Sequence, residues 1–341
     1  MSEFTESQLV IEEIITEIEC ITHSETENKF VPEIETMKLV ETSIKQLCAN
    51  QDIVAAFTIN DEENEDDSDV IVVMDGHGHN VAVDVLKNIQ DLPHHFKKVD
   101  VPESLQQLID IEVNKKKKEL DAKVYVSGTS YRDYMRSKIS DRDIRGSGAT
   151  LSFAKIKRNV LTKNVKIVLE WLGDSPIMVF INGELVFQSE THHASNESEI
   201  KRLKDKRLLE STEKGSGGFR VVNEDTIESN PGNYVIFKYG TSLAVTRSLG
   251  HNRITDIETQ KHTIECSTED DVKVLIFSDG VGDMLNMDID LEKLKHYSAE
   301  ELVDLAETRW KQVWNYGPTR TRFPSNGYDD CCCAMWWQKR V

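Results

Sequence analysis

No apolar run in this chain approaches the roughly 20 residues that a bilayer-crossing helix needs. The longest, over residues 70–74 and 274–277, have the length of strands, so no membrane partner is expected. The N-terminus MSEFTESQLV lacks the basic segment and apolar core of a signal peptide, and the expected location is cytoplasmic or nuclear. Cysteines are few and scattered. Cys20, Cys48, Cys266 and the triplet Cys331 to Cys333 have neither zinc-ligand spacing nor the look of a disulfide framework, and they read as free thiols. Positive charge is in the minority, 41 Lys and Arg against 60 Asp and Glu, for a net charge of -19. Such a field repels phosphate backbones, so no nucleic-acid partner is expected, while cations are attracted. Internal repeats and low-complexity linkers are absent. With 38% hydrophobic and 30% charged residues, the composition is that of a folded protein rather than a disordered one. The 341 residues are enough for one large domain or two ordinary ones, and a monomer is expected.

Along the chain, Leu9, Val10, Ile11, Ile14, Ile15, Ile18 and Ile21 recur at helical spacing and predict an amphipathic helix packed on the body, with residues 1–42 as helix and lead-in. Residues 53–59 and 70–74 read as a hairpin whose tip is the acidic run DEENEDDSD. Asn80 is placed to cap a helix carrying Val81, Val85, Leu86 and Ile89. A second helical pattern runs over 104–119, and an arginine-bearing insert extends to about 145. Residues 149–156, 165–171, 177–181 and 185–188 read as an antiparallel meander, with Asn182-Gly183 as a two-residue turn. The polar stretch 194–241 reads as a flap. A strand over 272–277, a helix from Ala299 to about Trp314 and a last strand over 331–337 complete the pattern. Cys331 to Cys333 should alternate across that last strand.

Asp75, Asp174, Asp279 and Asp329 each stand beside a strand-like run, in VIVVMDGHG, VLEWLGDS, VLIFSDGVGD and NGYDDCCCAMWW. A strand fixes its terminal side chain well, and several carboxylates converging at strand ends form an all-oxygen cage for hard divalent ions. Asp-Gly is also an ordinary turn dipeptide, so it is the repetition that carries the reading. Two such ions acidify a bridging water and offset the charge of a phosphoryl group. His77, two residues beyond Asp75, has an imidazole that titrates near neutral pH and is suited to general-acid work.

In order, NQD at Asn50 to Asp52, DGHG at Asp75 to Gly78, SGAT at Ser147 to Thr150, Gly173-Asp174-Ser175, SLAVTRSLGH at 242–251, FSDGVGDML at 277–285 and Asp329-Asp330 resemble the motif series of the type-2C metal-dependent serine/threonine phosphatases, over about residues 43–337. The resemblance implies an α+β fold, a four-layer α-β-β-α sandwich with two central antiparallel sheets flanked by helices. It implies a phosphatase domain over 43–341, with the insert near 104–145 and the flap near 194–241. It further implies hydrolysis of phosphoserine and phosphothreonine in phosphoprotein substrates by attack of a metal-bridging water. The two ions, Mg²⁺ or Mn²⁺, would be held by Asp75, Asp279, Asp329 and the carbonyl of Gly76, with Asp52 acting through bound water. Asp174 and Asp283, with Asp279, fall where the family can hold a third ion, and His77 falls at the general acid.

The series is divergent in four places. Some members carry a phosphate-binding arginine five residues before the first aspartate, where this chain has Leu47, and Lys45 is the nearest substitute. His79 stands in place of a glycine, His251 in place of an aspartate and Asp330 in place of an asparagine. These departures motivate an alternative, a pseudophosphatase or regulatory binding protein that keeps the fold with weak or no catalysis. A histidine zinc site is disfavoured, because the other candidate ligands are aspartates.

Overall fold

The computed structural model describes residues 36–60, 67–122, 130–132, 140–206, 221–223, 233–237, 242–316, 319–323 and 325–340. The helix expected near the N-terminus and most of the acidic hairpin tip lie outside the described residues, as does part of the flap.

The strands are β1 (Thr36–Lys45), β2 (Ile53–Asn60), β3 (Asp67–Met74), β4 (Gly76–Gly78), β5 (Ser147–Ala149), β6 (Leu151–Asn159), β7 (Asn164–Leu172), β8 (Ile177–Ile181) and β9 (Glu184–Gln188), the longer ones rich in β-branched residues. They are followed by β10 (Val221–Asn223), β11 (Asn233–Ile236), β12 (Ser242–Leu243), β13 (Leu249–Gly250), β14 (Gln260–Ser267), β15 (Val272–Phe277), β16 (Trp314–Tyr316), β17 (Thr319–Thr321) and β18 (Cys331–Arg340). The helices are α1 (Val81–Lys87), α2 (Leu92–Phe96), α3 (Val101–Ala122), α4 (Asp141–Arg145), α5 (Glu197–Asp205), α6 (Asp279–Gly282), α7 (Met287–Leu294) and α8 (Ala299–Lys311).

Two five-stranded sheets carry the fold, in the orders β14-β7-β6-β3-β2 and β1-β18-β15-β8-β9. Every pairing within them is antiparallel. Strand side chains alternate between faces, and β3 shows the consequence. Ile71 and Val73 face the second sheet in a core shared with Ile167, Val274, Ile276 and Trp336. Val70, Val72 and Met74 face outward onto Leu86 of α1 and Leu105 and Ile109 of α3. On the other outer face, Leu275, Phe277 and Met335 pack against Leu302, Val303, Ala306 and Trp310 of α8. These three layers of buried apolar contact join four layers of structure, the α-β-β-α sandwich expected from the sequence. Each fully buried Val or Ile contributes about 1.5–3 kcal/mol, so helices and sheets hold one another in place. The cysteine triplet alternates as expected, with Cys331 and Cys333 in the outer core and Cys332 between the sheets.

Four expectations are corrected. The stretch 149–188 is not one meander: β6–β7 belongs to the first sheet and β8–β9 to the second. The chain crosses between sheets at Gly173, whose φ of +101° and close approach to Thr150 leave no room for a side chain. Asn80 does not cap α1 with its side chain, because its Oδ1 accepts a hydrogen bond from Gln51 Nε2 at 2.5 Å. Helix α8 opens on a Ser298–Glu301 capping box but ends at Lys311, and Trp314 starts a strand. Finally, β1 begins at Thr36 and pairs with β18 through Lys45, so a boundary at residue 42 cuts a sheet strand.

Candidate metal centre

Asp75 follows the last residue of β3, a central strand of the first sheet. Its main-chain N–H donates to Thr150 Oγ1 at 2.9 Å, and its carbonyl accepts from the Thr150 N–H at 2.8 Å. Thr150 Oγ1 also lies 2.7 Å from Ser175 Oγ. The SGAT and Gly-Asp-Ser segments thereby brace Asp75 and bring Asp174 to the same end of the sheet. Gly76 is confined as well, since a Cβ there would come within 2.4 Å of Val83 and 2.8 Å of the Gln51 carbonyl.

From the second sheet, Asp279 opens α6 directly after β15, and Asp329 precedes β18. The Asp279 N–H approaches Asp75 Oδ2 at 3.4 Å. Gly280 lets α6 press onto the following segment, where a Cβ would fall 2.0 Å from the Asp330 carbonyl oxygen. Asp52 is buried in the turn before β2.

Burial, then the charge of Asp279, pushes the Asp75 and Asp174 carboxyls well above the ordinary carboxylate range. The same causes raise Asp283 to about 7 and Asp329 to about 8. Burial also raises Asp52 to about 7, opposed by a hydrogen bond from Ser278. Asp283 and Asp329 are exposed at the rim, although nearby atoms desolvate their carboxyl groups. Asp52, Asp75, Asp174, Asp283 and Asp329 thus all feel the charge of Asp279, and a like charge makes ionisation of each of these five harder.

Among the described residues, no three His, Cys, Asp or Glu side chains are drawn together closely enough to hold a metal ion. Two carboxylate oxygens at this site, Asp52 Oδ2 and Asp279 Oδ1, are nevertheless buried without a hydrogen-bond partner. A buried unpaired carboxylate oxygen is costly, and a divalent cation is the partner that suits several at once. The all-oxygen donor set fits Mg²⁺ or Mn²⁺.

Two residues to which the sequence assigned no role support the site. Asp330 accepts from the Cys48 N–H through Oδ1 and the Gln51 N–H through Oδ2, each at 2.8 Å, which ties down the turn presenting Asp52. Lys87 of α1 donates to the Asn50 carbonyl at 2.5 Å and to Asn50 Oδ1 at 2.8 Å. Its ammonium feels the charges of Asp330 and Asp52, although burial is the larger effect and lowers it. Lys45, by contrast, pairs with Asp304 at 3.3 Å and Glu307 at 3.6 Å on α8, and Leu47 packs on the outer core.

His77 lies on β4, in register opposite Gly148. Its Nε2 is 2.7 Å from Nε2 of His251. Burial, then the His251 ring, lowers His77 to about 3, against the pull of the Asp75 carbonyl.

Residues 41–291 match the family described as Protein phosphatase 2C. The chain belongs to the protein phosphatase 2C family. The matched span holds every candidate ligand except Asp329, which stands just before β18. Among solved structures, the serine-threonine phosphatase 2C of Toxoplasma gondii is similar at 13% identity and a TM-score of 0.51, covering 89% of this chain and 95% of that one. A sex-determining protein of C. elegans is similar at 18% identity and a TM-score of 0.47, covering 91% of this chain and 66% of that one. The catalytic domain of the phosphatase PstP, solved with two manganese ions, is similar at 15% identity and a TM-score of 0.46, covering 89% and 100%. No curated protein matches the sequence. The Toxoplasma comparison supports the protein phosphatase 2C fold.

Proposed function

We propose that this protein phosphatase 2C member is a metal-dependent serine/threonine phosphatase acting on phosphoproteins. The observation that carries the reading is the pair of buried, unpartnered oxygens on Asp52 and Asp279, set among the other strand-end aspartates. Asp75, Asp279 and Asp329, with the Gly76 carbonyl, would hold two divalent cations, with Asp52 behind them. Asp174 and Asp283, together with Asp279, would hold a third. When bound, Mg²⁺ or Mn²⁺ lowers the pKa of water and offsets negative charge on a phosphoryl group. His77 is the candidate general acid toward the departing serine or threonine oxygen, a role that burial and the His251 ring oppose by favouring its neutral form. Asp330 and Lys87 fix the turn that orients Asp52. Lys45 is left out of phosphate binding because its ammonium is committed to Asp304 and Glu307.

A second reading, a binding protein that keeps the fold without turnover, is favoured by Leu47, partly buried against the outer core, where some members of the family carry an arginine. Phosphate release from a phosphothreonine peptide separates the two. The phosphatase reading expects turnover with Mn²⁺ or Mg²⁺ that EDTA abolishes. Folded protein that takes up metal and releases no phosphate would establish the second reading.

A further inference from the structure

We infer that the basic face formed by the end of α3 and by α4 is a docking surface for acidic residues that flank the phosphorylated residue of a protein substrate; the inference rests on the phosphatase reading above. Ten of the chain's 41 Lys and Arg, but only five of its 60 Asp and Glu, fall within residues 115–145. This stretch is therefore net positive in a chain whose total charge is -19, and the proposed metal centre makes no use of it. Its described parts include the end of α3, with Lys115 to Lys118, and α4, with Arg142.

The two helices are joined to each other and to the metal loop. Lys117 of α3 pairs with Asp141 of α4, and Lys115 pairs with Glu112 at 3.6 Å. Lys118 and Arg142 are exposed and form no ion pair with a described residue. Asp143, next to Arg142 in the chain, is taken up by its capping box with Ser140 and by His79 at 3.7 Å. The Gly146 N–H donates to the Arg142 carbonyl and the His79 N–H to the Gly146 carbonyl, each at 2.8 Å, and Ser147 pairs in register with Gly78. The Arg145 carbonyl oxygen lies 2.7 Å from His251 Nδ1, and His251 Nε2 lies 2.7 Å from His77 Nε2. One imidazole ring thus separates the end of α4 from the candidate general acid. An extended peptide advances about 3.3–3.6 Å per residue, so a substrate held at the metal centre brings residues a few positions away within reach of this face. Most of the chain repels acidic residues, whereas exposed Lys and Arg attract carboxylates and speed encounter. Arg142 adds a planar fork able to hold a carboxylate through two hydrogen bonds.

The test uses the full chain with Mn²⁺ and two phosphothreonine peptides of equal length, one flanked by Asp and Glu and the other by Ala and Ser. At low salt, kcat/KM for the acid-flanked peptide should exceed that for the neutral one about three- to tenfold, the size expected of two or three exposed ion pairs. The preference should shrink toward unity in high salt and in K118E/R142E, while turnover of an aryl phosphate, which has no flanks, stays unchanged. Lys166 is exposed on β7, at the end away from Gly173, so K166E changes the charge far from this face and should keep the preference. A wild type that turns over both peptides equally, or a folded K118E/R142E that keeps the preference, would overturn the inference. A preference lost equally in K166E would trace it to net charge alone and would also overturn it. A wild type inactive on both peptides and on the aryl phosphate would remove the phosphatase reading, and fluorescence anisotropy of the labelled peptides then decides the surface by itself. Tighter, salt-sensitive binding of the acidic peptide that is lost in K118E/R142E supports it, and equal affinity for the two peptides overturns it.

Discussion

The main-chain N–H of Asp279 stands 3.4 Å from Oδ2 of Asp75, joining the end of β15 in one sheet to the end of β3 in the other. Asp279 is also the charge that, after burial, most raises Asp75, Asp174, Asp283 and Asp329. It is therefore the electrostatic centre of the cluster. Without metal, Asp279→Asn removes a like charge from a buried site and keeps nearly the same shape. The metal-free variant should melt several degrees above the metal-free wild type, the scale expected for a gain of about 1–2 kcal/mol. Calorimetric melting in EDTA checks this, and a variant that melts lower would mean that the aspartates do not repel one another as described.

Gly280→Ala should be damaging although it adds only one methyl group. Its Cβ would fall 2.0 Å from the Asp330 carbonyl oxygen, so α6 and the segment carrying Asp329 must part. Overpacking of this kind costs about 1–3 kcal/mol, and Mn²⁺ uptake should weaken as Asp279 and Asp329 separate. Gly282→Ala is the control, because its nearest neighbour would be 3.6 Å away, an ordinary contact. Chemical denaturation of the two variants should place G280A well below wild type and G282A close to it.

A buried ion network makes acid sensitivity testable away from the site. Burial would raise the Glu199 carboxyl, but hydrogen bonds from Arg247, Arg202 and Thr246 outweigh it and hold the group at about 2 instead of 4.5. A folded-state value below the unfolded one gives stability that is present above about 4.5 and lost as pH falls toward 2. The contribution at pH 7 is about 3 kcal/mol. Glu199→Gln should lower stability by at least a comparable amount at pH 7, because Arg247 is left buried beside a neutral amide. The gap between wild type and variant should narrow as pH falls from 5 to 3, which denaturation at several pH values would show.

Much of the architecture was legible because it is written in local periodicity. The unbroken apolar runs over 70–74 and 274–277 announced strands β3 and β15. Asp75, Asp279 and Asp329 could be singled out because each flanks such a run. Sheet membership could not be read in the same way. The four segments from 149 to 188 have the same strand-like pattern whichever sheet they join, and the switch depends on how Gly173 meets Thr150. The supporting residues were hidden for a related reason. Asp330 holds Cys48 and Gln51, which lie 282 and 279 positions away, and His251 meets His77 across 174 positions. The family pattern marked His251 and Asp330 as departures, but only the fold gives their partners. Lys87 had no signal beyond being one more lysine at the end of a helix. Asn80 carried a real cap signal, which lost to a competing donor, Gln51.

The central claim is that the strand-end aspartates form a site for two divalent cations, and counting those ions tests it most directly. Isothermal titration of metal-free protein with Mn²⁺ should show at least two ions bound by the wild type, with uptake lost or much weakened in Asp279→Asn. A wild type that takes up no Mn²⁺, or a variant whose isotherm matches it, would contradict the account.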